Sequence, residues 1–297
     1  MNNTRDKIIK DSANALKKVR EGIPLTNCIT NYVTINDCAN AVLAIGGSPV
    51  MADDPREIEE FVEIADALVI NLGAVNPTQI EAIVIGSQYG TKTKTPIVLD
   101  PVGVGATKLR NDLTLKLIEE ADISAIRGNM SEIKAIARLV DLDEIKSSAK
   151  NISKGVDVSE DDEIKEENLE VNGKIVKALA NKINTVIIAS GAIDILSDGK
   201  STYACENGDS MMPKITGSGC MLTSIVGSFC GINEPFIAGL SATIAMGAAG
   251  GQAGKFVRDE NSGTGTFRAK LIDYLSKIDE ETLLKEAKLY KIKIWAW

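Results

Sequence analysis

The 297-residue sequence contains no histidine. This removes every mechanism in which imidazole serves as base, nucleophile or metal ligand, Ser-His-Asp and Cys-His hydrolysis among them. Aromatic residues are sparse at 4%, so the core must be built from Ile, Val, Leu and Ala, as when helices cover both faces of a sheet. The five cysteines, Cys28, Cys38, Cys205, Cys220 and Cys230, are odd in number and lack Cys-x-x-Cys spacing. Neither a disulfide framework nor a zinc cluster is indicated, and a reducing cytoplasm is the expected location. Positive charge is also in deficit, 33 Lys plus Arg against 41 Asp plus Glu for a net −8, which disfavours general affinity for a nucleic-acid backbone. The N-terminal stretch reads as a polar amphipathic helix without the apolar core and cleavage site of a signal peptide. No span is expected to reach transmembrane length, so neither membrane nor nucleic acid is an expected partner. What remains is chemistry by carboxylates, thiols, main-chain amides and bound metal ions, and phosphoryl transfer is a leading example.

Hydrophobic residues at 44% and charged residues at 25% are ordinary proportions for a folded chain, and one large α/β domain over 1–297 fits the length. Short apolar runs rich in β-branched residues occur at 66–71, 96–100, 123–126 and 185–189, and each reads as a buried strand. Helical periods lie between and after them, at about 77–88, 110–120, 130–140, 173–183, 220–230 and 235–254. Repeated strand, helix, strand implies right-handed crossovers and a mainly parallel sheet, whose ligands gather at the carboxyl ends of the strands. The acidic stretch from Asp157 to Glu170 is expected to be a solvated loop leading into a helix, because clustered charge is usually hydrated surface.

The sharpest local feature is Thr216-Gly217-Ser218-Gly219-Cys220 ahead of a helix. Two glycines let consecutive N–H groups point into one space, and the helix start adds its unpaired amides and positive dipole end, which together make an anion hole. The structural alternative is a tight loop joining a hairpin to a helix. The segment lacks the Lys-Ser/Thr ending of a P-loop. Cys220 falls in the first turn, where the dipole is expected to lower the thiol pKa; Cys38 and Cys230 read as small buried apolar residues. Asp100 closes a strand and opens a glycine turn, and Glu132 follows another strand end. Together they could organise a hydrated Mg2+ carrying a nucleotide. Asn129 and Glu132 also have the spacing of a capping box, a local role that can coexist with a metal role. Near the N-terminus, amides and hydroxyls crowd residues 26–40, more than the N-cap of one helix requires, which points to a polar pocket wall. Met51 would by itself be a core residue.

Six runs together resemble the hydroxyethylthiazole kinase family: residues 28–40, Met51-Ala52-Asp53-Asp54-Pro55-Arg56-Glu57, Leu99-Asp100-Pro101-Val102-Gly103, Arg127-Gly128-Asn129-Met130-Ser131-Glu132-Ile133, Ile215 to Cys220, and Gly265-Thr266-Phe267-Arg268. They follow the family's order and span nearly the whole chain. The resemblance implies a ribokinase-like three-layer α/β/α sandwich without a separate lid domain, and a homotrimer with active sites between subunits. It also implies transfer of phosphate from ATP to the primary alcohol of 4-methyl-5-(2-hydroxyethyl)thiazole. On the matching positions, Asn31, Val33, Met51 and Gly217 would line the thiazole site. Arg127, Ser190 and Gly219 would meet ATP, Asp100 and Glu132 would organise Mg2+, and Cys220 would stand where most ribokinase-like enzymes place an aspartate base. Ser190 and Ser218 replace the threonines usual in the family, and both keep a hydroxyl. The rivals are a hydroxymethylpyrimidine kinase or another ribokinase-like enzyme, and a nucleotide-binding regulatory protein without catalysis.

Overall fold

The computed structural model describes residues 2–143 and 163–294. The part of the acidic stretch from Asp157 to Asp162 lies outside the described residues; its remainder runs from Glu163 into a helix beginning at Leu169. The strands are β1 (Leu25–Ile29), β2 (Ser48–Val50), β3 (Ala67–Asn71), β4 (Ile97–Asp100), β5 (Ile123–Asn129), β6 (Val186–Ser190), β7 (Asp194–Ser197), β8 (Thr202–Cys205) and β9 (Leu289–Lys291). They form one sheet in the order β2-β1-β3-β4-β5-β6-β7-β8-β9. β1 to β6 run parallel, while β7, β8 and β9 are added antiparallel at one edge. The four strands expected from apolar runs appear within a residue or so at their starts, and the sheet is mainly parallel as expected; β5 continues to Asn129, three residues beyond its apolar run.

The helices are α1 (Asn2–Gly22), α2 (Ile35–Ile45), α3 (Ile58–Ile64), α4 (Pro77–Thr93), α5 (Lys108–Glu120), α6 (Met130–Leu139), α7 (Leu169–Ile183), α8 (Ser218–Cys230), α9 (Pro235–Asp259), α10 (Thr264–Lys277) and α11 (Glu280–Glu286). Local chemistry fixes several starts. Asn76 caps α4 by accepting the Gln79 N–H, with Pro77 in the first turn, where its missing N–H costs nothing. Asn129 and Glu132 form the expected capping box of α6. α8 begins after Gly217, whose φ of +85° is a left-handed conformation suited to glycine.

Two apolar cores lie on opposite faces of the sheet, giving three layers. One holds Leu16 and Val19 of α1, Ile225 and Phe229 of α8, Ile244 of α9 and Phe267 of α10. The other holds Ile58, Ile83, Leu117, Ile133 and Leu179 from α3 to α7. α8 packs on β1, β3 and β4, and α9 on β5, β6 and β7. Phe229, at the far end of α8, is fully buried; truncating such a side chain costs about 3–5 kcal/mol. This anchorage seats α8 on the sheet, and its N-terminal half meets the strand ends through Cys220 at Asn31 and Thr223 at Asp100.

One expectation is corrected: α9 is long and apolar enough to cross a membrane by length and composition. However, 78% of its apolar window is buried inside the fold. Its apolar character comes from lying between the sheet, α1 and α10, since a helix hydrophobic all round is a buried one. Its glycines let the β8–α8 loop approach closely: a Cβ at Gly254 would stand 2.1 Å from the Asp209 carboxylate.

Candidate active site

The parallel strands β3, β4, β5 and β6 end in Asn71, Asp100, Asn129 and Ser190. A polar residue thus closes each apolar run at the carboxyl edge, and register places Asn71 beside Asp100 and Asn129 beside Ser190. Asp100 is fully buried. Its Oδ2 accepts from Thr223 Oγ1 at 2.7 Å and Asn71 Nδ2 at 3.0 Å, with Arg127 Nη1 at 3.8 Å. Its Oδ1 is buried without a partner. Burial raises the Asp100 pKa, against the opposing pull of Arg127 and the two hydrogen bonds. Glu132 is likewise buried and is pushed up to about 7, by burial first and then by Asp100. Its carboxylate accepts from Gly103 N at 2.9 Å and Asn129 N at 2.8 Å, so one side chain pins two strand-end turns.

The glycine loop faces this pair of acids across Arg127. A Cβ on Gly219 would lie 2.4 Å from Arg127 Nη1, so the backbone start of α8 and the guanidinium occupy one spot. Arg127 Nε donates to Ser190 Oγ at 3.0 Å, so the hydroxyl kept at this departure position orients the cation. A cavity of about 700 Å³ opens beside them, lined among others by Arg127, Ser190, Asp194, Asn207, Asp209 and Gly219. Amides, a helix N-terminus and a guanidinium converging on a cavity of this size suit a phosphorylated ligand. Asp194, at the cavity wall, accepts the Gly191 N–H at 3.0 Å and is raised to about 7 by burial.

At the other end of the cluster, Asn31 Nδ2 donates to Asn71 Oδ1 at 3.1 Å and approaches Cys220 Sγ at 3.5 Å. Asn31 Oδ1 accepts from both the N–H and the hydroxyl of Thr34, each at 3.1 Å. Thr34 is the residue preceding α2, yet its side chain makes no capping bond because it is spent on Asn31. The expected lowering of the Cys220 pKa by the helix dipole is not what the site produces. Burial, then Asp100 and Cys38, push the thiol up to about 11, so the group is a neutral thiol at ordinary pH.

The structure therefore brings together Asn31, Cys220, Asp100, Arg127, Ser190, Gly219 and Glu132. Gly217 stands at the same helix start, where its missing side chain leaves room for Thr34: a Cβ would be 2.6 Å from Thr34 Cγ2. Met51 is half-buried at the end of β2 and packs on the α8 core, and Val33 is 60% exposed on the turn before α2. Sequence reasoning missed Asn71, Thr223 and Asp194. Asn71 was visible as the polar end of an apolar strand; Thr223, one turn past Gly219, carried no such signal. Asp37, within the polar run, instead receives a bidentate contact from Arg268 that ties α2 to α10. Cys38 and Cys230 are buried as expected.

A model of the hydroxyethylthiazole kinase family matches residues 16–281. Hydroxyethylthiazole kinase 2 of Methanosphaera stadtmanae is 51% identical over 96% of this chain and 100% of its own. The hydroxyethylthiazole kinase of Methanobrevibacter smithii is 52% identical over 96% of this chain and 98% of its own. Among solved structures, a hydroxyethylthiazole kinase protein from Pyrococcus horikoshii superposes with a TM-score of 0.79 at 34% identity, covering 95% of this chain and 99% of that one. A pyridoxal kinase from Staphylococcus aureus in complex with AMP-PCP and pyridoxal, at TM-score 0.51 and 14% identity over 76% of this chain and 87% of that one, shares the fold alone.

Proposed function

The chain belongs to the hydroxyethylthiazole kinase family, and from that premise we propose that it moves the γ-phosphoryl group of ATP to the primary hydroxyl of 4-methyl-5-(2-hydroxyethyl)thiazole. The product is the thiazole phosphate used in thiamine salvage. The observation that carries this reading is the contact between the Gly219 backbone and Arg127 beside a buried acid and a cavity of about 700 Å³. The triphosphate lies along that cavity with its terminal phosphate at the amides of Gly219 and Cys220, and Arg127, steadied by Ser190, balances its charge. The alcohol lies on the Asn31 and Cys220 side, with Met51, Val33 and Gly217 around the ring. The transferred group passes through a loose, metaphosphate-like state, so the alcohol needs little deprotonation before attack. A neutral thiol is sufficient there to orient the hydroxyl, whose proton leaves late, to an oxygen of the transferred phosphoryl group.

The residues also fit Mg2+. Asp100 Oδ1 is buried with no partner, and Asp100 lies close enough to Glu132 to help raise its pKa, a setting for a hydrated ion shared with phosphate oxygens. Such an ion supplies neutralisation of phosphate charge. Asp100 and Glu132 would hold it, Asp100 through its unpartnered Oδ1 and Glu132 while its two oxygens also accept the backbone amides that fix its turn.

The chain also works as a homotrimer in this proposal. Tyr32 is 73% exposed and Val33 60% exposed immediately after Asn31, which leaves large apolar groups in solvent at the edge of the alcohol site unless a second copy covers them. Incubation with MgATP and the thiazole alcohol is expected to yield ADP and a phosphorylated thiazole in equal amounts. ADP formation independent of the alcohol, or faster transfer to a hydroxymethylpyrimidine, overturns the assignment. Sedimentation at equilibrium checks the trimer.

A further inference from the structure

Asn71 is 3% exposed and sits between two groups that the mechanism uses, the Asp100 carboxylate and the Asn31–Cys220 pair. A polar side chain buried at this depth is costly unless every group is satisfied. The way it is satisfied has a direction. Backbone N–H groups can only donate, so Thr34 N identifies Oδ1 of Asn31 and Gly73 N, at 2.8 Å, identifies Oδ1 of Asn71. Both amide NH2 groups must then point onward. One proton of Asn31 Nδ2 goes to Asn71 Oδ1, its other faces Cys220 Sγ, and Asn71 Nδ2 goes to Asp100 Oδ2.

This order decides something at each end. On the acid, Asn71 and Thr223 both occupy Oδ2, so the oxygen left without a partner is Oδ1. On the thiol, Sγ faces a donor, so its own proton turns away from Asn31. Gly73 keeps the chain tight, because a Cβ there would stand 2.8 Å from both Asn31 Nδ2 and Asn71 Oδ1.

We propose that Asn71 is a positioning residue that joins Asp100 to the Asn31–Cys220 pair, so that one hydrogen-bond chain aligns the acid and the thiol of the transfer site. The kinetic consequence rests on the kinase reading, whereas the coupling itself does not. Two substitutions separate its halves. Asn71→Asp keeps an acceptor for Asn31 and Gly73 but replaces the fixed N–H donor to Asp100 by a second, ionisable carboxyl, and Asn71→Ala breaks both sides.

The experiment measures steady-state kinetics of both variants and the Raman S–H stretching band of Cys220, assigned by subtracting the spectrum of Cys220→Ala. In both variants kcat should fall about tenfold or more while KM for MgATP and for the thiazole alcohol stays within about threefold, the signature of misaligned reacting groups. The S–H band should shift in Asn71→Ala and stay nearly in place in Asn71→Asp. If Asn71→Ala has no cooperative thermal transition, Asn71→Asp, nearly the same in shape, decides through its kcat. Values of kcat within about threefold of wild type in the variants that fold, or an unmoved S–H band in folded Asn71→Ala, overturn the proposal. A wild-type chain that phosphorylates no thiazole alcohol, together with a shifted band in Asn71→Ala, would sink the kinase reading and leave the coupling standing.

Discussion

The two ends of the site are built from different materials. At the proposed phosphate end, Asp100, Arg127 and Glu132 are buried or nearly so, and charge is balanced among them and by backbone amides. At the proposed alcohol end, Asn31, Asn71, Thr34 and Cys220 are neutral and joined by hydrogen bonds, and the wall beyond them opens to solvent at Tyr32 and Val33. Charge in transit calls for fixed dipoles and cations, whereas an alcohol calls mainly for placement. The phosphate end should therefore tolerate alteration least.

The hardest test of this contrast is Gly219→Val. Its side chain would enter space held by Arg127 Nη1, 2.4 Å from where the Cβ begins, and turnover is expected to fall by about 10³-fold or more as both guanidinium and amides are displaced. Product formation followed by chromatography, alongside a thermal melt showing an intact fold, checks it; near-normal turnover removes the anion hole from the account. At the proposed alcohol end, Cys220→Ala should cost about 10²-fold in kcat, and Cys220→Asp should keep more activity because a carboxylate can hold the hydroxyl and accept its proton. An alanine variant as active as wild type would reduce Cys220 to packing.

The smallest effect concerns pH and confines itself to the charged end. Glu132 in the folded, metal-free protein holds its proton up to about pH 7, against 4.5 for an ordinary glutamate. The folded state thus binds more protons than the unfolded chain between these values, and stability must fall as pH rises across that window, by on the order of 1–3 kcal/mol. Asp194, raised to about 7, adds to the same slope. Melting temperatures measured from pH 4.5 to 7.5 should decline, and Glu132→Gln should flatten the decline. An equally steep decline in that variant would relocate the titration.

Much of this was legible in one dimension. Strands β3, β4 and β6 announce themselves as β-branched runs, and the Asn129–Glu132 cap follows from a spacing of three. Asp100, Arg127, Gly219 and Cys220 were each marked by a strand end or a glycine turn. Asn71 closed its strand in the same way but was passed over and Thr223 carried no mark, because their role comes from β3 lying beside β4 and from α8 crossing both, contacts that no local spacing encodes. The thiol pKa went the other way from expectation for a related reason. A helix start is visible in sequence, but the depth of burial and the neighbouring Asp100 are set by the assembled layers. The antiparallel edge of β7, β8 and β9 was likewise silent, being short and, for β9, far along the chain.

The β8–α8 loop that walls the cavity rests in a furrow on α9, where Gly254 leaves no more room than the Asp209 carboxylate fills. The chamber's dimensions are thus specified partly by α9, which also lines it through Thr243, Met246 and Gly247. One added methyl at Gly254 would displace the Asp209 side chain from that furrow, so a position behind the wall bears on the shape of the chamber.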